Sequence, residues 1–157
     1  MVREQAFRAL IRCSVLLRRH TAEYLGRWGI SGAQWGVLRT LGRAKDAGVP
    51  GLRLRDLGEQ MLVRPPSMTG VVDRLERGGY LRKRASAGDK RAKEVSLTPK
   101  GRGLLQSILR RQHQRVDLVT AHLSDAEART LLRLIERLST RLAGLQQQRK
   151  NGRINPS

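Results

Sequence analysis

The sequence has a single cysteine, Cys13, and aromatic side chains make up only 3% of its 157 residues. One thiol cannot close an internal disulfide or build a multi-thiolate zinc site, so cross-linking does not hold this fold. Acids are scarce as well: 13 Asp and Glu face 32 Lys and Arg, a net charge of +19. Long apolar runs are missing. Stretches such as Ser14 to Leu17 fall far short of the ~18–20 residues that a membrane span needs, and Met1-Val2-Arg3-Glu4 starts no apolar signal core. A cytoplasmic protein without membrane contact is expected. No HExxH, Walker loop, GxGxxG or nucleophile-base-acid set occurs, so neither an enzyme nor a cofactor is expected.

What is present is a chain of one-domain length, or of two small lobes sharing a core, with 39% hydrophobic residues supplied mainly by Leu, Val, Ile and Ala. Its positive charge is spread, at +4 over residues 1–30, +7 over 31–98 and +8 over 99–157. Such a chain seeks polyanions, and nucleic acid is the expected partner. A GC-rich genome would account for arginine over lysine but not for the shortage of acids.

Apolar spacing predicts six helices. Phe7, Leu10, Ile11, Val15, Leu17, Tyr24, Leu25 and Trp28 recur at three and four through a first helix, Arg3 to Trp28, that ends at Gly29. Ser31 with Gln34 has capping-box spacing and opens a second, whose stripe of Trp35, Leu38 and Leu41 continues to Gly42. Leu54, Leu57 and Met61 mark a short third beginning near Arg53, broken at Arg64-Pro65-Pro66. A fourth, Ser67 to Arg77, carries Met68, Val71, Val72 and Leu75 on one face and stops at Gly78-Gly79. Tyr80 to Ala85 and Glu94 to Leu97 read as two strands around a polar tip, Ser86 to Lys93. Thr98-Pro99 opens the fifth helix and Ser124-Asp125 caps the sixth, while the stretch Gln146 to Arg153 loses its apolar periodicity and is expected to fray.

Two short helices joined by a tight turn and followed by a basic hairpin make a winged helix-turn-helix, a mainly α fold with a small β-wing, in which the second helix enters the major groove. The candidate DNA contacts are Arg64, Pro66, Ser67, Thr69, Gly70, Arg74, Arg84, Asp89, Lys90, Arg91 and Lys93. Ser67 and Thr69 are short hydroxyl donors beside a helix N-terminus that attracts phosphate, and Gly70 permits close backbone approach. Arg64 and Arg74 suit phosphate or the guanine edge. At the tip, Arg91 suits a narrow minor groove with Lys90 and Lys93 on the flanking phosphates, and Asp89 is read as bracing the tip backbone or Arg91. A solvated helix face and an ordinary charged turn are the plain alternatives.

These residues resemble the multiple-antibiotic-resistance regulator (MarR) family of bacterial transcription factors. The similarity lies in Arg74-Leu75-Glu76-Arg77-Gly78-Gly79-Tyr80-Leu81-Arg82-Lys83-Arg84, in Asp89-Lys90-Arg91 and in Val95-Ser96-Leu97-Thr98-Pro99-Lys100-Gly101. Leu52 to Gly58 and Gln34-Trp35 resemble the family's third and second helices. Lys83 stands where the family often has Arg, and Gly70 where it often has a polar residue. The resemblance implies a homodimer formed by terminal helices that binds pseudo-palindromic, inverted-repeat DNA, commonly as a repressor, and is released by a small anionic or phenolic effector. Residues 1–30 and 99–145 are then dimerisation segments, 31–98 the DNA-binding lobe and 146–157 a flexible tail. The terminal helices carry more Leu, Ile and Val than the small winged core can cover, which independently favours association. The alternative is a basic RNA- or ribosome-associated winged-helix protein.

Trp28 and Trp35 flank the junction of the first and second helices, where this fold would place a ligand cavity that they would line with His20, Arg27 and Arg55, although plain core packing also suits the tryptophans. Cys13 is expected to be a buried structural thiol rather than a redox sensor. His20, His113 and His122 share no ligand spacing, so no metal is expected.

Overall fold

The computed structural model describes the backbone of residues 1–61, 66–86 and 89–150, with side chains throughout these except at 86, 89–92, 113, 149 and 150. It falls into two compact units, Met1–Arg110 and the chain from Arg111 onward, with the boundary inside the fifth helix.

In the first unit, α1 (Val2–Gly26) and α2 (Gly32–Asp46) precede a two-residue strand β1 (Leu52–Arg53), α3 (Leu54–Gln60), α4 (Met68–Arg77) and a hairpin of β2 (Leu81–Ser86) and β3 (Asp89–Leu97). The helix ends follow local chemistry. At Ser31 the hydroxyl accepts the Gln34 N–H at 3.2 Å while the Gln34 side chain accepts the Ser31 N–H at 2.8 Å, the reciprocal capping box that the spacing predicts. α4 stops in a Schellman turn: Tyr80 N–H donates to Leu75 C=O, Gly79 N–H to Glu76 C=O, and Gly79 takes φ +76°, which a side chain would strain.

Three differences from the sequence reading have physical reasons. α2 does not stop at Gly42 but runs on to Asp46. Gly42 is buried, and a Cβ there would meet Leu105 Cδ2 at 2.5 Å, so this glycine admits Leu105 against α2 rather than ending a helix. The sheet has three strands in the order β1-β3-β2, because Leu52 and Arg53 pair antiparallel with Val95 and Glu94. The hairpin is longer than expected: Asp89 to Lys93 belong to β3 and not to a loop. Pairing runs in register from Leu81↔Leu97 to Ala85↔Lys93, then shifts so that Ser86 faces Asp89, the irregularity of a β-bulge.

The core of this unit joins Val37, Leu38 and Leu41 of α2 to Leu57, Val71, Val72 and Leu75, to Leu81, Val95 and Leu97 of the sheet, and to Leu105 and Ile108 of α5 (Pro99–Thr120). Truncating any of these to Ala costs about 2–5 kcal/mol. Thr98 opens α5, its Oγ1 accepting the Gly101 N–H at 3.0 Å and donating to Gly79 C=O at 2.7 Å, which ties the end of α4 to the start of α5. Leu25 is the one residue of α1 fully buried here, whereas Phe7, Ile11, Leu16 and Leu17 are exposed.

The second unit contains the rest of α5 and α6 (Asp125–Lys150). Ser124 caps α6, with its N–H donating to Glu127 Oε2 at 2.8 Å. α6 continues through Gln146 to Lys150, beyond the point where periodicity was expected to lapse. Leu131, Leu132, Leu134, Ile135, Leu138 and Leu142 are all exposed along it. No described helix is long and apolar enough to cross a membrane.

Candidate nucleic-acid interface

α4 is sharply two-sided. Val71, Val72 and Leu75 are buried, while Thr69, Arg74 and Arg77 lie exposed on the outer side, with Gly70 half-buried. Pro66 and Ser67 precede the helix and are exposed. Ser67 is the N-cap rather than the first helical residue, and its Oγ accepts the Gly70 N–H at 3.1 Å. One of its lone pairs is therefore committed to the helix. Gly70 serves the same cap, since a Cβ there would sit 2.9 Å from Ser67 Oγ.

Beside this helix stands β2, whose alternation places Arg82 and Arg84 on one face and Lys83 on the other. Arg84 is exposed, as is Lys93 across the hairpin, and Arg82 Nε donates to Ser96 Oγ at 3.0 Å. Lys83 turns towards α4. Its ammonium pairs with Asp73 and lies 2.8 Å from Glu76 Oε2, and its backbone N–H donates to Glu76 Oε1 at 3.0 Å. The hydrogen bond from Lys83 holds both carboxyls below their ordinary range, and those bonds raise Lys83 in turn. The recognition-type helix and the wing are thus tied by charge as well as by the core. Sequence reasoning missed this network, although Asp73 and Glu76 at i, i+3 on a helix just before a strand lysine were a usable signal.

Arg64 lies outside the described residues, and so do the side chains of Asp89, Lys90 and Arg91, whose backbones belong to β3. Thr69, Arg74, Arg84 and Lys93 are the exposed remainder of the candidate set beside Pro66 and Ser67.

Between α1 and α2 the same unit has a groove of about 680 Å³. Arg18, Thr21, Trp35, Arg39, Arg43, Met61 and Pro66 are among its lining residues, and the Arg39 guanidinium lies 5.7 Å from the Trp35 ring centroid. Of the five expected pocket residues only Trp35 lines it. Trp28 packs against the core, edge-on to Tyr24, whose hydroxyl donates to Ile108 C=O at 3.1 Å. Arg27 is the exposed C-cap of α1, and Arg55 points to solvent and pairs with Glu59 at 3.2 Å. His20 is half-buried on α1, with its Nε2 enclosed. Of the three arginines that do line the groove, Arg39 and Arg43 follow from helical projection, four and eight residues beyond Trp35, while Arg18 comes from α1.

Cys13 is exposed on α1, against the expectation of a buried thiol, because the side of α1 that carries it is uncovered in the single chain. Among the described residues no three His, Cys, Asp or Glu side chains gather as a metal site.

The order helix-helix-strand-helix-helix-hairpin, with a two-sided α4 braced against its wing, makes a winged helix-turn-helix fold. Residues 28–92 match the model of the MarR family. The chain is 27% identical over 132 residues to the HTH-type transcriptional regulator MhqR of Bacillus subtilis, covering 84% of this chain and 88% of that one. It is 26% identical over 139 residues to the transcriptional repressor YetL of the same organism, covering 88% and 81%. A cysteine-to-serine variant of MarR from Escherichia coli, solved in complex with operator DNA, superposes with a TM-score of 0.73 at 23% identity over 83% of this chain and 91% of that one. The chain is similar to transcriptional regulators of the MarR family.

Proposed function

We propose that this regulator binds an inverted repeat in duplex DNA as a homodimer and acts as a repressor that a small anionic aromatic ligand releases. The observation that carries the reading is the outer side of α4, where Thr69 and Arg74 stand exposed beside a capped helix N-terminus while the opposite side is fully committed to the core. α4 would occupy the major groove, and the β2–β3 hairpin, with Arg84, Lys93 and Arg91, the neighbouring minor groove and its phosphates. Two copies carry twice +19, so affinity would fall steeply with salt.

Dimerisation through residues 1–30 and 99–145 is supported by the exposed apolar side chains of α1 and α6. Covering a half-exposed Leu or Ile contributes about 1 kcal/mol, so covering such stripes on both copies favours association. Two-fold symmetry would set the recognition helices about 34–36 Å apart, one turn of DNA. The effector reading is supported by the groove: three arginines attract an anion, Trp35 offers a ring face, and Met61 and Pro66 connect an occupant to the segment that bears α4.

Footprinting on the DNA upstream of the gene, in excess random duplex, tests the whole. One protected inverted repeat is expected, with Arg91→Ala weakening all sequences and flattening the salt slope and Thr69→Ala changing sequence preference. Equal affinity for random duplex, or preference for RNA, would overturn the reading in favour of an RNA-associated factor.

A further inference from the structure

α6 carries two stripes. Leu131, Leu134, Ile135, Leu138 and Leu142 recur on one side at helical spacing, and Arg129, Arg133 and Arg137 recur every four residues on the other, the row winding on to Arg141 at the edge of the apolar side. All nine are exposed. Arg133, Arg137 and Arg141, with Glu136 and Thr140, line a shallow depression of about 470 Å³. Among the described residues none of the four arginines enters an ion pair, and the Thr140 hydroxyl is engaged with the Glu136 backbone carbonyl at 3.0 Å. A solvated helix face commonly sets Glu four residues from Arg; here each arginine has another arginine at that spacing, and the carboxylates along the row, Asp125 four residues before Arg129 and Glu136 three after Arg133, are fewer than the cations, so an anion lying along it relieves their repulsion.

The repeat identifies the anion. Four helical residues rise ~6 Å, so the stripe runs ~18 Å, a length over which one strand of duplex DNA presents about five phosphates. Guanidinium groups take phosphate oxygens through paired hydrogen bonds, and a row of them at a fixed rise fits a regularly spaced polyanion better than the irregular charges of an acidic protein. A lipid surface is disfavoured by the opposition of the stripes: a helix lying on its leucines in a membrane would turn these arginines into water. The arginines also stay free if the leucines are covered by a second copy of the chain.

We propose that the arginine stripe of α6 is a second binding site for the phosphodiester backbone of duplex DNA, distinct from the winged lobe, by which a DNA-bound regulator holds another duplex segment. This rests on the winged lobe engaging a first duplex.

The test uses the full chain on a short duplex fixed to beads, with capture of a second, fluorescent duplex as the readout. Wild type is expected to capture it. The triple variant Arg133→Gln, Arg137→Gln, Arg141→Gln should bind the fixed duplex within about two-fold of wild type yet capture the second about ten-fold less, with a salt slope for capture flatter by roughly 2.7 per engaged protomer. Glutamine keeps helix propensity, and the corresponding triple lysine variant should retain capture. If the triple variant does not fold, Arg137→Gln alone should show a smaller loss of capture. Undiminished capture by a folded glutamine variant, or a wild type that binds one duplex but never two, overturns the proposal while leaving the winged-lobe reading intact. So does a wild type that uses these arginines on phosphatidylserine vesicles but captures no duplex. A wild type that binds no duplex at all overturns both readings.

Discussion

Lys83 of β2 reaches back to α4, its Nζ 2.8 Å from Glu76 Oε2, and shares its charge with Asp73 one helical turn earlier. A single cation thus bridges two carboxylates that would otherwise repel each other, and it sits where the wing leaves the helix. Exposed ion pairs contribute little one at a time, but a three-membered network with a backbone hydrogen bond into it fixes orientation. Lys83→Met should lower the melting temperature and weaken DNA binding together, while Lys83→Arg, which restores the charge, should recover both. Thermal melts and duplex titrations on the three proteins check this, and a Met variant that binds DNA as wild type does would remove Lys83 from positioning the wing.

The same network sets a pH dependence. Asp73 and Glu76 are held below their ordinary values, chiefly by the Lys83 hydrogen bond, so their contribution is complete above the unfolded carboxylate range and is lost as pH falls through the folded values. Lys83 is raised, chiefly by its bond to Asp73, so its contribution is complete below its unfolded value and is lost only as pH climbs past the folded one. The stability difference between wild type and Lys83→Met should therefore stay flat from about pH 6 to 9 and shrink below about pH 4. Melts across pH measure it, and a difference that peaks in acid would contradict the assignment.

The sequence made the local rules legible and hid the non-local ones. Ser31 with Gln34, Thr98 with Pro99 and the stripe Met68, Val71, Val72, Leu75 each declare themselves within one or two turns, and the helices they define stand in the structure. β1 could not be seen, because two residues become a strand only by pairing with Val95 and Glu94 some forty positions away. The charged run from Asp89 to Lys93 lacks β-propensity and is part of β3 by backbone pairing with β2. For the groove, Trp35 was legible as an aromatic beside a helix start, with Arg39 and Arg43 on the same helix face, but Arg18 joins them only when α1 and α2 are laid side by side. Trp28 fell to the core because Tyr24, one turn away, already anchors that edge to α5.

Gly101 is the tightest approach in the winged lobe. Its backbone packs on the Tyr80 carbonyl, which accepts the Thr98 N–H at 3.0 Å, and a Cβ at Gly101 would collide with that carbonyl oxygen. Backbone cannot step aside as a side chain can. Gly101→Ala should cost about 1–3 kcal/mol or more, whereas Gly103→Ala, two residues on in the same helix and facing open space, should gain about 0.5–1 kcal/mol. Urea denaturation of both variants makes the comparison internal, since helix propensity alone would stabilise each of them. Equal gains would show that the α4–α5 junction relaxes.

The two tryptophans report on different places, which makes the groove testable by fluorescence. Trp35 lines it, with the Arg39 guanidinium 5.7 Å from the ring centroid, while Trp28 packs against the core, 6.5 Å from Tyr24. An aromatic carboxylate such as benzoate would exchange the Arg39 contact for its own ring and place its anion among Arg18, Arg39 and Arg43. Titration with benzoate and hydroxybenzoates should quench emission to saturation in wild type and in Trp28→Phe, but not in Trp35→Phe. Arg39→Ala should raise the dissociation constant about ten-fold, the loss expected for one charge-assisted hydrogen bond. Quenching that persists unchanged in Trp35→Phe would place the ligand elsewhere; quenching that survives Arg39→Ala at full affinity would show the groove binding rings without reading their charge.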